Sequence, residues 1–325
     1  MRAITTSGAG GPEVLTVSEV PDPVAAPDEV VIDVAAAGVN RADLLQRMGY
    51  YPPPPGASDI LGLECSGTVV RTVPDGPPAG TEVCALLTGG GYAQQVAVPL
   101  GQVMPVPGGV DLVTAAGLPE VACTVYSNLA MVARLQPGEW VLIHGGAGGI
   151  GSFAIQWAAA MGARVAVTSG SDEKLARCAE WGAEVLVNYR TQDFAEVVRE
   201  QTGGHGADVI LDVMGAKYLA ANVATLAVGG RLVVIGLQGG VKAELNLNAL
   251  LTKRGSVHAT SLRSLPAVAK AEVCDQVVQH VWPLIESGAV VPVIDRAYPL
   301  AQAADAHRLM SDGGHVGKIL LQVTP

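Results

Sequence analysis

Charge is scarce in this chain. Only 15% of its 325 residues are Asp, Glu, Lys or Arg, against 49% hydrophobic. A composition so apolar excludes a disordered chain and predicts a large buried core. Positive charge is scarcer still: 20 Lys and Arg face 30 Asp and Glu, a formal net charge of −10. That deficit argues against a general role on nucleic acid or on a membrane surface, which demand a basic patch, and leaves room only for a local basic pocket. No uninterrupted apolar run reaches the ~20 residues that span a bilayer. Met1-Arg2-Ala3-Ile4-Thr5-Thr6 passes directly into strand-like and turn-like sequence, without the pattern of a secretory signal. The five cysteines (Cys65, Cys84, Cys123, Cys178 and Cys274) are scattered and form no C-x-x-C pair. They offer neither a disulfide framework nor metal-ligand spacing. These absences predict a reduced, cytoplasmic protein, and no internal repeat is present.

What the chain does have is one informative stretch. The apolar run Trp140-Val141-Leu142-Ile143-His144 reads as a buried strand, and it ends in Gly145-Gly146-Ala147-Gly148-Gly149-Ile150-Gly151. Helical spacing follows from Ser152. Gly146, Gly148 and Gly151 satisfy G-x-G-x-x-G in the strand–turn–helix context that makes the pattern informative. In such a motif the first glycine permits the tight turn and the second lets a pyrophosphate approach the backbone. The third allows close helix–strand packing, and the helix N-terminus supplies N–H donors.

A second strand is expected at Ala163–Thr168. A site for NAD would place an acid at its end, to bind the ribose 2′-hydroxyl. Here the strand ends in Thr168-Ser169-Gly170-Ser171. Asp172 and Glu173 come later, where acids suit the first turn of a helix, and Lys174 stands within reach of a 2′-phosphate. The missing acid favours NADPH over NADH.

Before the motif the chain reads as mostly β. Strands are expected at 14–17 and 29–34, a short helix at 40–48, and a stiff extended segment at Pro52–Pro55. Leu112 to Ala133 reads as helical. Beyond 140, strand-like runs at 208–213, 230–236 and 257–262 alternate with helical patterns, as in a doubly wound parallel sheet. After 266 the chain turns helical and then ends in strand-like runs at 290–298 and 317–323. The fold class is α/β, with a β-rich domain and a Rossmann domain.

Several segments together carry a resemblance. They are Ala37-Gly38-Val39-Asn40-Arg41-Ala42-Asp43, Gly49-Tyr50-Tyr51-Pro52-Pro53-Pro54-Pro55-Gly56, Leu61-Gly62-Leu63-Glu64-Cys65-Ser66-Gly67 and Gly89-Gly90-Gly91-Tyr92-Ala93. To these are added His144–Gly151, Ser169-Gly170-Ser171 with Lys174, Asn188-Tyr189, Thr260-Ser261-Leu262-Arg263 and Gly317-Lys318-Ile319. In this order, over nearly the full length, the chain resembles the zinc-free quinone oxidoreductase branch of the medium-chain dehydrogenase/reductase superfamily. The resemblance implies a GroES-like substrate domain at 1–122, a Rossmann NADPH-binding domain at 123–265, a return to the first domain at 266–325, and an active cleft between the two. It implies NADPH as cofactor, a quinone or activated carbonyl compound as small-molecule partner, and a homodimer through edge strands near 257–262. The zinc-dependent members need a Cys, a Gly-His-Glu segment and a later Cys. This chain has Gly38-Val39-Asn40, Gly62-Leu63-Glu64 and Glu120 at the corresponding places, with Cys123 alone close by. No metal is expected.

On the same resemblance, Tyr51 is the first choice for a residue facing the acceptor, with Tyr50 second. Tyr51 is equally open to a structural role beside the proline run. Asn40 is assigned to the nicotinamide or acceptor, or to a helix N-cap, and Thr124 to the side of the ring. Gly146, Gly148, Gly149, Ile150 and Gly151 hold the pyrophosphate. Lys174 and Tyr189 flank the 2′-phosphate, with Ser171 a third donor. Gly236 and Leu237 border the nicotinamide ribose, and the backbone of Ser261 and Leu262 meets the carboxamide. His144 is read as packing, the remaining histidines as unassigned, and Lys318 as a surface residue or, on a weaker signal, a cofactor contact. Three functions follow: an NADPH-dependent, zinc-independent quinone reductase, an NADPH-dependent reductase of α,β-unsaturated carbonyl compounds, and a non-enzymatic NADPH- or RNA-binding protein. The acidic charge speaks against RNA.

Overall fold

The computed structural model describes residues 1–323. The chain forms two compact units, one from 1–123, 262–288 and 292 onward, the other from 124–261 with 289–291. The return to the first unit falls at 262, not at the expected 266. Arg263 accounts for the difference, since its guanidinium donates to Thr88 O (2.8 Å) and Gln46 Oε1 (2.7 Å), both in the first unit.

In chain order the strands are β1 (Arg2–Thr6), β2 (Leu15–Glu19), β3 (Glu29–Val39), β4 (Glu64–Arg71), β5 (Glu82–Leu86), β6 (Gln95–Pro99) and β7 (Val103–Pro105). Then come β8 (Trp140–His144), β9 (Arg164–Ser169), β10 (Val185–Asn188), β11 (Ala207–Asp212), β12 (Leu226–Val234), β13 (Ser256–Ala259), β14 (Ile294–Pro299) and β15 (Lys318–Gln322).

The first unit is organised on β3, which pairs antiparallel with β4, β6 and β15. Val30, Ile32, Val34, Ile319 and Leu321 enter its core with Leu44 and Leu61. Register decides what lies at the end of β3. Ile319 faces Val39 and Cys65 faces Ala37, so the first residues of β15 and β4, Lys318 and Glu64, arrive beside Asn40 and Gly38. Asn40 leaves the strand with extended backbone and caps the helix Arg41–Arg47.

The second unit holds a six-stranded sheet in the order β10-β9-β8-β11-β12-β13, every pair parallel. The chain runs outward from β8 through β9 and β10, then restarts on the other side at β11. In such sheets ligands bind beyond the strand C-termini where the direction reverses, here at the ends of β8, β9 and β11. Strand β8 is buried along its whole length, as a central parallel strand covered on both faces requires. β13 is the last strand of the sheet on its side.

The expected helix at 112–133 is three pieces: Leu112–Ala115, Pro119–Val125 and a wide π-type turn at Tyr126–Val132. Pro119 explains the first break, because its missing N–H and its clash with the preceding turn suit the start of a helix and not its interior.

Candidate active site

The glycine loop is shaped by close approach. The left-handed turn falls at Gly145 (φ +75°) and not at Gly146, the first glycine of the motif. The N–H groups of both Gly145 and Gly146 donate to Thr168 O, which ties the loop to the end of β9. A Cβ at Gly146 would come within 3.1 Å of Cys178 Sγ, and one at Gly151 would overlap Gly145 O. At Gly148, by contrast, a Cβ would find its nearest neighbour at an ordinary 3.5 Å. Gly146 and Gly151 are therefore small because protein crowds them, whereas Gly148 borders free space. Gly148 caps the helix Gly149–Ala160, whose first N–H groups and dipole form an anion site.

Beside this loop, β9 ends in Ser169-Gly170-Ser171 with no carboxylate among them. Ser171 caps the helix Asp172–Glu180, its Oγ accepting from Lys174 N at 3.4 Å. A Cβ on Gly170 would meet Tyr189 Oη at 2.5 Å and Arg190 Nε at 3.5 Å. Ser171, Lys174 and Tyr189 thus gather around one bend. Arg190, which no motif had marked, joins them.

Within the same unit Asn128 Nδ2 donates to Thr124 O (2.8 Å) and Thr260 Oγ1 donates to Asn128 Oδ1 (2.6 Å). These bonds bring Thr124 to the loop that carries Ser261. Gly236 packs on Val213, where a Cβ would lie 2.9 Å from the Val213 carbonyl, and the next residue, Leu237, is exposed. His144 is buried, bonded to Thr168 Oγ1 and Asn222 Oδ1, and edge-on to Phe194 and Tyr218. Burial lowers its pKa to about 4, so the ring is neutral and packs.

In the first unit the end of β3 carries a polar cluster that sequence reasoning missed. Lys318, expected at the surface, is 5% exposed and fully engaged. Its Nζ donates to Glu64 Oε1 (2.5 Å) and Asn40 Oδ1 (2.7 Å), and Asn40 Nδ2 donates to the same Glu64 oxygen (2.9 Å). Glu120 N donates to Glu64 Oε2 at 2.9 Å. Asn40 is thereby fixed at both ends of its amide. Gly38 is glycine because a Cβ there would overlap the Glu64 carboxyl.

A second chain of bonds continues from the helix. Asp43 accepts from Asn40 N (2.7 Å), Gly62 N (3.0 Å) and Tyr92 Oη (3.1 Å). Tyr92 Oη lies 3.2 Å from His307 Nε2, and Arg47 Nη1 lies 3.3 Å from His307 Nδ1. Arginine can only donate, so Nδ1 accepts and Nε2 carries the proton toward Tyr92, which donates to Asp43. Burial, and then the charge of Arg47, lower the His307 pKa to about 3, consistent with a neutral ring. Burial raises Asp43 to about 6 against its three donors. Glu120 is raised to about 8 by burial and by the neighbouring Glu64, with Lys318 opposing, so it holds its proton at neutral pH.

Of the tyrosines, Tyr50 is 77% exposed. Tyr51 is half-buried, with the Arg263 guanidinium 5.3 Å from its ring centre. Asn40, Tyr50, Tyr51 and Leu262 belong to the first unit, and the remaining expected residues to the second.

Comparison with known proteins supplies the family. Residues 26–108 match the alcohol dehydrogenase GroES-like domain and residues 149–280 the zinc-binding dehydrogenase family. Quinone oxidoreductase of Rattus norvegicus is 33% identical over 327 residues, covering 99% of this chain and 97% of its own. The chain belongs to the medium-chain dehydrogenase/reductase superfamily. Among its relatives in that superfamily is the 2-haloacrylate reductase of a Burkholderia species, 31% identical over 96% of both chains. The crystal structure of Escherichia coli quinone oxidoreductase complexed with NADPH superposes with a TM-score of 0.90 at 29% identity, covering 99% of this chain and all of that one. The chain also matches a phenolphthiocerol/phthiocerol polyketide synthase of Mycobacterium tuberculosis, at 34% identity over 91% of its length, and spans only 14% of that much longer protein.

Zinc is implied by the name of one matching family, and the residues here do not suit it. Among the described residues no three His, Cys, Asp or Glu side chains converge to hold a metal ion. At the end of β3, Asn40 is neutral and Glu64 already carries the Lys318 ammonium, which would repel a dication.

Proposed function

We propose that this protein is an NADPH-dependent, zinc-independent quinone oxidoreductase. The observation that carries the reading is the bend after β9, where Ser171, Lys174, Tyr189 and Arg190 gather and no carboxylate ends the strand. A 2′-phosphate finds cations and hydroxyls there, whereas the nearby acid, Asp172, comes after the strand end and is engaged by Asn188 Nδ2 (2.8 Å). Gly148 and the first turn of the helix Gly149–Ala160 suit the pyrophosphate. Bound NADPH supplies a hydride.

The chain's own residues position and polarise. Lys318 and Glu64 fix the Asn40 amide and leave one Nδ2 hydrogen for a carbonyl of nicotinamide or acceptor. Tyr51, steadied by Arg263, offers a ring to stack and a hydroxyl to orient a quinone oxygen. A hydroquinone takes its protons from water, so positioning is sufficient. The relatives from Rattus norvegicus and Escherichia coli support this reading. Two chains would pair through β13, and equilibrium sedimentation at twice the chain mass tests that pairing.

A second reading, reduction of α,β-unsaturated carbonyl compounds, is favoured by Glu120, which keeps its proton to about pH 8, and by the 2-haloacrylate reductase relative. Reducing a carbon–carbon double bond requires a proton delivered to carbon, a step for which a placed acid contributes ~10²–10⁴-fold. Steady NADPH oxidation with a para-quinone, an ortho-quinone and a simple enone, repeated on Tyr51→Phe and Glu120→Gln, separates the two. Under the quinone reading, quinones turn over fastest and Tyr51→Phe slows them less than ~5-fold, in keeping with the loss of one neutral hydrogen bond. Faster enone turnover, crippled by Glu120→Gln, would replace it with the second reading.

A further inference from the structure

The first unit contains a cavity of about 610 Å³, a size that takes a small organic molecule. Its walls mix polar groups with apolar side chains, Pro54, Pro55, Ile60, Leu86, Val96 and Val98 among the latter. Three polar side chains in the lining are almost wholly buried: Gln102 at 2%, Lys270 at 3% and Arg263 at 5% exposure. Thr88, also in the lining, joins the two cations: its Oγ1 accepts from Lys270 Nζ (2.7 Å) and its carbonyl oxygen from Arg263 Nε (2.8 Å). Among the described residues neither cation has a carboxylate within ion-pair distance. Asp43 and Glu120 lie near enough for their charge to act on Arg263, and Glu120 on Lys270. Glu120 holds its proton at neutral pH, which leaves Lys270 as the cation without a carboxylate counter-charge. Glu29, the one acidic side chain in the lining, accepts instead from Ala26 N.

Gln102 adds a second, independent sign. Its Oε1 is buried and has no hydrogen-bond partner among the described residues. Gly101 packs so closely on the helix Ala267–His280 that a Cβ there would lie 2.5 Å from the Ala271 Cβ, which brings the turn carrying Gln102 against the helix that carries Lys270. A buried cation without a counter-charge and a buried acceptor without a donor both cost free energy. Placed together on a cavity with aliphatic and proline side chains, they describe the complement of a ligand.

We propose that this cavity binds a small hydroxylated aromatic carboxylate, separately from the nucleotide. The carboxylate sits on the Lys270 ammonium with Arg263 behind it, the hydroxyl donates to Gln102 Oε1, and the ring lies against the prolines and aliphatic side chains. Lys270 supplies two N–H donors beyond the one given to Thr88, enough for a carboxylate oxygen pair.

Isothermal titration of the full chain with 4-hydroxybenzoate, benzoate and phenol tests the site directly, without reliance on any enzymatic activity. The expected order is 4-hydroxybenzoate tightest, at one per chain, with benzoate weaker for want of the hydroxyl and phenol weakest for want of charge. Lys270→Met should weaken 4-hydroxybenzoate about 10- to 100-fold, the range a charged hydrogen bond commands, and Lys270→Arg should restore most of it. Gln102→Leu, which leaves the cation in place, should bring 4-hydroxybenzoate down to the affinity of benzoate. Thermal melts of each variant show whether it folds, and Gln102→Leu keeps the test alive if Lys270→Met does not. Heat of binding absent at millimolar ligand, phenol as good as the carboxylates, or affinity unchanged in both Lys270→Met and Gln102→Leu would overturn the proposal.

Discussion

The two units build their polar sites in opposite ways. In the second unit, the cradle at the ends of β8 and β9 is local: its loop and first helical turn are consecutive from Gly145 to Ser152, and backbone N–H groups supply most of the donors. In the first unit, Asn40, Asp43, Glu64, Tyr92, His307 and Lys318 come from across the whole sequence. They meet because β4 and β15 both begin beside the end of β3, and because Tyr92 links Asp43 to His307. The cradle is open and made of backbone dipoles, whereas the cluster is buried and made of side-chain charge. Substitutions should therefore affect function in the cradle and stability in the cluster.

The largest expected effect breaks the buried cluster. Lys318→Met strands the Glu64 carboxylate with no counter-charge, and loss of one partner of a buried pair costs about 3–5 kcal/mol. Thermal and urea unfolding should show that loss, and adding Glu64→Gln should recover most of it. Lys174→Met in the open cradle should change stability by no more than about 0.5 kcal/mol. Equal losses from the two lysine variants would erase the contrast.

Next in size is Gly151→Val, whose side chain would collide with the Gly145 and Gly146 carbonyls. Overpacking of this kind costs about 1–3 kcal/mol, and the loop must shift to relieve it. NADPH binding, followed by nicotinamide fluorescence, should be lost in this variant while the folded state persists. Unaltered binding would mean that the close packing of loop and helix does not shape the site.

The buried titratable groups add a pH dependence. Folding raises Glu120 from an ordinary 4.5 to about 8, so the folded chain keeps a proton that the unfolded chain has lost. Stability from this group therefore declines as pH rises between those values. Glu120→Gln should flatten the decline in melting temperature across that range. His144 and His307 act in the other direction: their pKa values fall from 6.5 to about 4 and about 3, so their contribution is lost as pH drops below 6.5.

The same contrast explains what could be read from the sequence. The parallel sheet and the glycine loop were legible because strand, turn and helix are neighbours in the chain. Even there, the residue with positive φ was Gly145 and not Gly146, since spacing marks where glycines stand but not which of them turns. Asn40 and Asp43 carried a faint sign, an N-cap followed three residues later by an acid. Lys318 carried none: one lysine ahead of Ile319-Leu320-Leu321 looks like any strand end, and only the register of β15 on β3 buries it. Tyr92 and His307 lie 215 positions apart, beyond the reach of any periodic pattern.

The most direct test of NADPH selection at the bend after β9 is the dissociation constant of NADPH and of NADH, each measured on the native chain and on Lys174→Ala. The native chain should bind NADPH more tightly than NADH. The variant should lose about tenfold for NADPH alone, as expected when one charged contact to a phosphate is removed. Equal affinity for the two nucleotides in the native chain, or an equal loss of both in Lys174→Ala, would contradict that selection.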